Sequence, residues 1–405
     1  MANRNSKEIE AAKRAVKNNP KAVIIAVVAI ILIIAIAFCV LYFGFPKTWN
    51  SLMSSIRGDG DDSDGLALGE GELKVHFINI GQGECIYIQF PDSTDMIIDC
   101  GQKGSGFQYS QPKEYIDKIN PDGIINHLML THSDQDHVEY MDEIINDFEI
   151  KNIYMPKILA APTNQSLQNQ ISELPQEKMN LFSDPEIDKV TTATYARFFI
   201  AALSEENCKI IFNEDIDDSH TSIVIKDDTY RLTFYCPTTE FYNDRNISSS
   251  GKWLNAVSPI GILEYNQRKV VFTGDSNENN EPNFVNRINK IDCDVLKVAH
   301  HGSASSSSDA FLNSVTCEYA VISCGTDNEY GHPTQSALDR FAARNMTVYR
   351  TDKNGTVVLT IDGDGKMTFS VETEVSQEVI FIGADSTNAK ISAIPVLPLF
   401  ANLFL

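Results

Sequence analysis

Five of the eight histidines stand in three short runs, THSDQDH at 131–137, HHGS at 300–303 and YGHP at 330–333, each following a predicted strand. In the first run His132 and Asp134 are two apart, so an extended loop can project both into one concavity. Asp136 and His137 follow where the chain turns into a helix. Four ligand-type side chains within six residues can hold more than one cation. The bland alternative is a polar helix start, with Asp as cap and acids favoured by the helix dipole. The runs downstream weigh against it. Asp275 closes the strand VVFTGD, and a carboxylate at a strand end can bridge two metals, although Gly-Asp is also an ordinary turn. Neighbouring residues of a strand face opposite sides, so one of His300 and His301 is expected to reach the site. Ser303 and the serines after it suit a phosphate oxygen at a helix start, or simply a loose loop. His332, two residues after Tyr330, stands where a lone histidine is usually structural.

These residues need strands that end together. LKVHFINI (73–80), CIYIQF (85–90) and MIIDCG (96–101) read as strands, and HLML (127–130) leads into the first histidine run. EYMDEIINDF has helical apolar spacing. The middle, 151–255, is harder to read, with helical stretches near 165–182 and 192–204 and strands at 221–225 and 230–236. GILEY, KVVFTGD, DVLKVAHHG and EYAVISCG repeat the strand-then-loop logic, and a helix is expected over 334–345. Residues 347–371 then form strands around turns at Asn354-Gly355 and at 362–365. Two strand-rich halves with helices between them predict two sheets packed face to face with helices outside.

Residues 22–45 are 24 in number and uncharged. As a helix they would span roughly 36 Å, enough to cross a hydrocarbon core. Basic residues dominate before them, and the acidic run DGDDSD at 59–64 follows. Positive-inside topology therefore puts 1–21 in the cytoplasm and the catalytic part outside the cell. A cleaved signal peptide is the competing reading, since Ala35-Ile36-Ala37 resembles a cleavage site, but the apolar run continues to Phe45. Residues 46–72 read as a linker, 73–372 as the folded domain, and 373–405 as an apolar tail without an assigned role. The chain carries a net charge of −22 although its first 21 residues are basic, a field that repels polyanions at long range. Seven cysteines follow Cys39 without zinc-finger spacing, and they carry no chemistry at this level.

In order and wording the motifs resemble the metallo-β-lactamase superfamily, and specifically the hydrolase domain of ComEC-like competence proteins. The matches are IGQGE at 80–84, IDCG at 98–101, THSDQDH, TGD at 273–275, HHGS and YGHP, over about residues 73–372. The resemblance implies an α/β fold, a four-layer αββα sandwich, here preceded by one transmembrane helix. It makes His132, Asp134, Asp136, His137, Asp275 and His332 metal ligands, with Asp136 also essential to catalysis. His301 or His300 would donate a proton. Ser303, Asn255 and Tyr330 would face the substrate, and Asp99, Gln82 and Glu84 would order the ligands from behind.

Two departures matter. The superfamily's HxHxDH is HxDxDH here, and harder oxygen ligands move preference from zinc toward manganese or magnesium. No clear histidine stands between Asp136 and Asp275 at the middle ligand position, where His220 is a candidate; Asn255 looks more like the group's Asn/Ser signature. The expected cofactors are two divalent ions, zinc or manganese. The expected reaction is metal-dependent phosphodiester hydrolysis, with nucleic acid as one substrate. Alternatives are a cell-envelope polymer, a carboxylic ester or lactone, or a surface receptor that binds metal without turnover. The sequence leaves oligomeric state open.

Overall fold

The structure is a computed structural model that describes residues 66, 68–104, 106–185, 187–214, 223–238, 241 and 253–373. The expected anchor at 22–45, most of the linker, His220 and residues 374–405 lie outside the described residues. Among the described residues no helix is long and apolar enough to cross a membrane.

Six strands open the first sheet: β1 (Leu73–Phe77), β2 (Gly83–Gln89), β3 (Asp95–Gln102), β4 (Ile124–Met129), β5 (Glu149–Met155) and β6 (Lys209–Phe212). The second sheet takes β7 (Ile223–Lys226), β8 (Tyr230–Tyr235), β9 (Ile260–Tyr265), β10 (Arg268–Phe272), β11 (Val295–Lys297), β12 (Tyr319–Ile322) and β13 (Thr347–Arg350). The chain then returns to the first sheet with β14 (Val357–Ile361) and β15 (Met367–Val371). The sheet orders are β15-β14-β1-β2-β3-β4-β5-β6 and β13-β12-β11-β10-β9-β8-β7. The two large sheets are as expected, and the last strands cross back: β14 lies antiparallel beside β1, with Leu73 opposite Ile361.

Strand alternation makes the layers. In β2, Ile86 and Ile88 face the second sheet, while Cys85 and Tyr87 face the outer helices. In β10, Val270 and Phe272 meet the first sheet and Val271 turns outward. Three apolar cores result: one between the sheets and one under the helices on each side. Helices Met141–Asp147 and Ala193–Ser204 cover the first sheet, and Gln335–Ala342 covers the second. The arrangement is an αββα sandwich. Several boundaries differ from expectation. Pro175 separates helix Gln165–Ser172 from the turn at Gln176–Met179, because its ring fits only a helix start. Strand β5, with Ile153 and Met155 in the outer core and Tyr154 between them facing the second sheet, occupies a stretch that sequence spacing leaves unassigned.

Candidate metal centre

The parallel strands β3, β4, β11 and β12 end at one edge, and the loops leaving them build the site. After β4 the chain stays extended through Asp134, then starts the short helix Gln135–Val138. Asp134 makes no side-chain capping bond, so helix capping does not account for its place. Close backbone approach fixes this helix. A Cβ on Gly101 would lie 2.4 Å from the carbonyl carbon of His137, which reserves the position for glycine.

Three imidazoles are oriented in the same manner. Asp99, at φ 57°, accepts from Thr131 N and Oγ1 at 2.7 Å each and from His137 Nδ1 at 2.7 Å. Since the Thr131 hydroxyl donates to Asp99, its oxygen accepts from His132 Nδ1 at 3.0 Å. His301 Nδ1 donates to the Ser323 carbonyl at 2.8 Å. Each Nδ1 is thus committed to an oxygen partner, which leaves Nε2 as the nitrogen that each ring turns inward.

Those Nε2 atoms converge on carboxylates. His137 Nε2 lies 3.1 Å from Asp275 Oδ1 and 3.3 Å from His301 Nε2. His301 Nε2 lies 3.4 Å from Asp136 Oδ2. His132 Nε2 lies 3.8 Å from both Asp275 Oδ2 and Asp134 Oδ2. His132 Nε2 and Asp275 Oδ1 are buried and make no hydrogen bond, and His300 Nδ1 and His332 Nδ1 share that condition. Carboxylates and imidazole nitrogens crowded away from water are stabilised by positive charge among them, a proton or a metal ion. Two groups suit a metal ion: His132, His137 and Asp275, and Asp136, His137 and His301. Asp275 turns Oδ1 toward His137 and Oδ2 toward His132 and His300, a disposition suited to spanning both groups.

Proton affinities report the same crowding. Burial and neighbouring His137 hold His132 down to about 4. Burial opposes protonation of His137 and His301 too, but Asp275, together with Asp99 or Asp136, outweighs it and raises both. Burial, with Asp136 and Asp275, pushes Asp134 up to about 6. Burial would raise Asp275, yet the surrounding imidazoles hold it well below the ordinary carboxylate range.

The adjacent histidines correct one expectation. His300 and His301 both reach the site, because they lie in a tight turn and not in a strand. Their φ values are 49° and 53°. Two successive left-handed residues that are not glycine cost about 1–2 kcal/mol each, and packing must hold them there. His301 is buried with Nε2 among the ligand-type groups, whereas His300, 28% exposed, borders the open side. His332 packs edge-on against His300 at 5.4 Å between ring centres, and Tyr330 lies over His332 at 5.8 Å.

Other residues take different places. Asn255 donates to Asp275 Oδ2 at 3.2 Å and so stands behind that carboxylate instead of facing substrate. Ser303 pairs with the Ser305 hydroxyl, and Glu281 accepts from Ser307 N and Ser308 N. The serine loop's backbone donors are occupied there, against the expectation of a phosphate cradle. Gln82 accepts from Gly325 N at 3.0 Å, tying the turn after β1 to the loop after β12. Glu84 pairs with the buried Lys297 at 2.5 Å. Burial raises the Glu84 carboxyl, and Lys297 opposes that rise.

A cleft enclosing about 320 Å³, part of it open solvent, lies over this cluster and is lined by Gln82, Lys103, Asp134, Asp136, Asp275, His300, His301, Tyr330 and His332. Lys103, which sequence reasoning missed, holds its ammonium 5.1 Å over the Tyr330 ring. It follows IDCGQ in a loop without ligand-type spacing, so no pattern marked it. Ser258, whose hydroxyl accepts from Asp275 N at 3.2 Å, was missed as well, although it stands three residues from Asn255. A Cβ on Gly274 would meet that Ser258 side chain at 3.0 Å, so glycine lets the Asp275 loop approach.

The αββα sandwich with histidines and aspartates gathered at strand ends resembles the metallo-β-lactamase fold. Comparison with known proteins narrows this class. The chain is 28% identical over 302 residues to ComE operon protein 3 of Bacillus subtilis, covering 71% of this chain and 33% of that protein. It is 40% identical over 87 residues to competence protein ComA of Neisseria gonorrhoeae, covering 21% and 13% of the two chains. The chain is thus similar to part of the ComEC-like competence proteins, and it spans a third or less of these relatives' lengths. No family model matches. Among solved structures, the metallo-β-lactamase fold protein YhfI of Bacillus subtilis is 11% identical with a TM-score of 0.37, covering 74% of this chain and all of that one.

Proposed function

We propose that the chain is a metal-dependent phosphodiesterase, anchored by residues 22–45 with its catalytic domain outside the cell. The reading rests on one observation: three buried imidazoles, each held through Nδ1, turn Nε2 toward Asp134, Asp136 and Asp275, and His132 Nε2 and Asp275 Oδ1 make no hydrogen bond. Two divalent cations fit this donor set. His132, Asp134, Asp136, His137, Asp275 and His301 would hold them, with His332 nearby. The mixed nitrogen and oxygen donors suit zinc or manganese. Bound there, the ions supply Lewis acidity and an activated water near neutral pH.

The chain's own groups supply the rest. Asp99, Thr131 and the Ser323 carbonyl hold the imidazoles through Nδ1. His300, on the open side, gives a proton to the departing oxygen. Lys103 at the mouth attracts the substrate's negative charge and offsets three carboxylates that line the same cleft. A narrow cleft in an acidic chain favours a single-stranded or small diester over a duplex. Nucleic acid and cell-envelope diesters both meet that description.

Metal content of the purified protein by mass spectrometry is the first test, and about two zinc or manganese ions per chain are expected. Bis-p-nitrophenyl phosphate, single-stranded DNA, phosphorylcholine esters and lactones, each assayed with both metals, then identify the ester. Turnover of lactones alone would replace the phosphodiesterase reading. Metal binding without turnover of any substrate would make the protein a receptor.

A further inference from the structure

Away from the metal rim, two cysteines stand opposite each other in a parallel ladder. Residues Ile291–Asp292 pair with Val315–Thr316, registering Asp292 against Thr316. Just beyond, β11 and β12 register Val295 against Tyr319. Both pairs have the same offset in sequence, which sets Cys293 across from Cys317. The backbone remains bonded through the interval. Cys293 N donates to Thr316 O at 2.7 Å, and Glu318 N and Tyr319 N donate to Asp294 O at 3.1 and 2.9 Å.

Adjacent strands lie about 4.8 Å apart, within the roughly 4.4–6.8 Å that separates the Cα atoms of a disulfide. The two side chains are partly exposed and pack at the margin of the outer core on the second sheet. The other registered pair, Cys85 and Cys100, is fully buried and closed to an oxidant.

We propose that Cys293 and Cys317 are a redox-reactive pair that closes into a disulfide. With a small-molecule disulfide as oxidant, one cysteine thiolate attacks a sulfur of the reagent and releases a thiol. The second cysteine then attacks the mixed disulfide and releases another. One Sγ–Sγ bond forms, the reagent's sulfur–sulfur bond breaks, and the two cysteine protons end on the released thiols. The bond ties both ends of a segment that contains β11, His300, His301 and helix Asp309–Ser314. It constrains the unfolded chain more than the folded one.

The test equilibrates the whole 405-residue chain with oxidised glutathione, alkylates free thiols and maps peptides by mass spectrometry. A peptide joining Cys293 to Cys317, lost on reduction, is expected. The oxidised chain should also unfold about 5 °C higher than the reduced one. Cys293→Ser and Cys317→Ser should each remove both the link and the rise. Quantitative alkylation of both thiols, or their recovery only as glutathione adducts, would overturn the proposal. Neither result bears on the metal site, so the two readings fail separately.

Discussion

Two buried groups of histidines and carboxylates occupy this domain, and they differ in how their polar atoms are satisfied. Under the helix Ser110–Ile119, His76 bonds to the Tyr115 hydroxyl at 2.8 Å through Nδ1 and to Gln89 Oε1 at 2.9 Å through Nε2. Nearby Asp95 accepts from Asn126 N and Asn120 Nδ2 at 2.7 Å each and from the Tyr87 hydroxyl. Every atom there has a protein partner. At the rim, by contrast, His132 Nε2 and Asp275 Oδ1 have none, and His137 Nε2 is crowded by Asp275 Oδ1 at 3.1 Å and His301 Nε2 at 3.3 Å. A satisfied polar cluster holds a fold together. An unsatisfied and convergent one is complete only when something positive enters it.

Breaking each cluster separately tests the contrast. The largest effect belongs to Asp275→Ala, which should cut turnover of bis-p-nitrophenyl phosphate by about 10³-fold or more while circular dichroism stays unchanged. Unaltered turnover in the purified variant would remove the rim from the mechanism. Chelation should lower the thermal midpoint, because ions that bind only the native state add about 2.7 kcal/mol at a hundredfold excess over Kd. Zinc or manganese should restore it, whereas a midpoint indifferent to chelator would mean that no ion is held. Asp99→Asn should weaken metal binding by about 10–100-fold, measured by competition with a coloured chelator, since it loosens both His137 and Thr131.

The fully bonded cluster should respond in stability instead. His76→Ala removes two buried hydrogen bonds and should cost about 1–3 kcal/mol in urea unfolding with metal content intact. Burial lowers His76 to about 4 from an ordinary 6.5, and it lowers His127 to about 4 as well. Between those values the unfolded chain binds protons that the folded chain refuses. The contribution of these two histidines is therefore complete above pH 6.5, falls as pH drops toward 4, and levels off below. The share from fully buried His76 is on the order of 3 kcal/mol, and His76→Gln should flatten that part of the profile. The smallest effect is expected from Lys103→Ala, a rise in KM of about fivefold with kcat nearly unchanged, as for loss of uniform charge attraction.

The sequence by itself determined the strands with period-two alternation, the ligand-type residues at their ends, and the glycines at 83, 101 and 274, whose lack of a Cβ permits close approach. Local spacing encodes these features because alternation and turn chemistry act over a few residues. Only the tertiary structure decided the rest. It gave β14 and β15 to the first sheet, turned His300 and His301 to the same side through paired left-handed residues, and moved Asn255 behind Asp275. It also brought Lys103 to the mouth of the cleft and Cys293 opposite Cys317. Those relations join positions tens to hundreds of residues apart. Strand order and backbone handedness, which no short pattern carries, set which side chains meet.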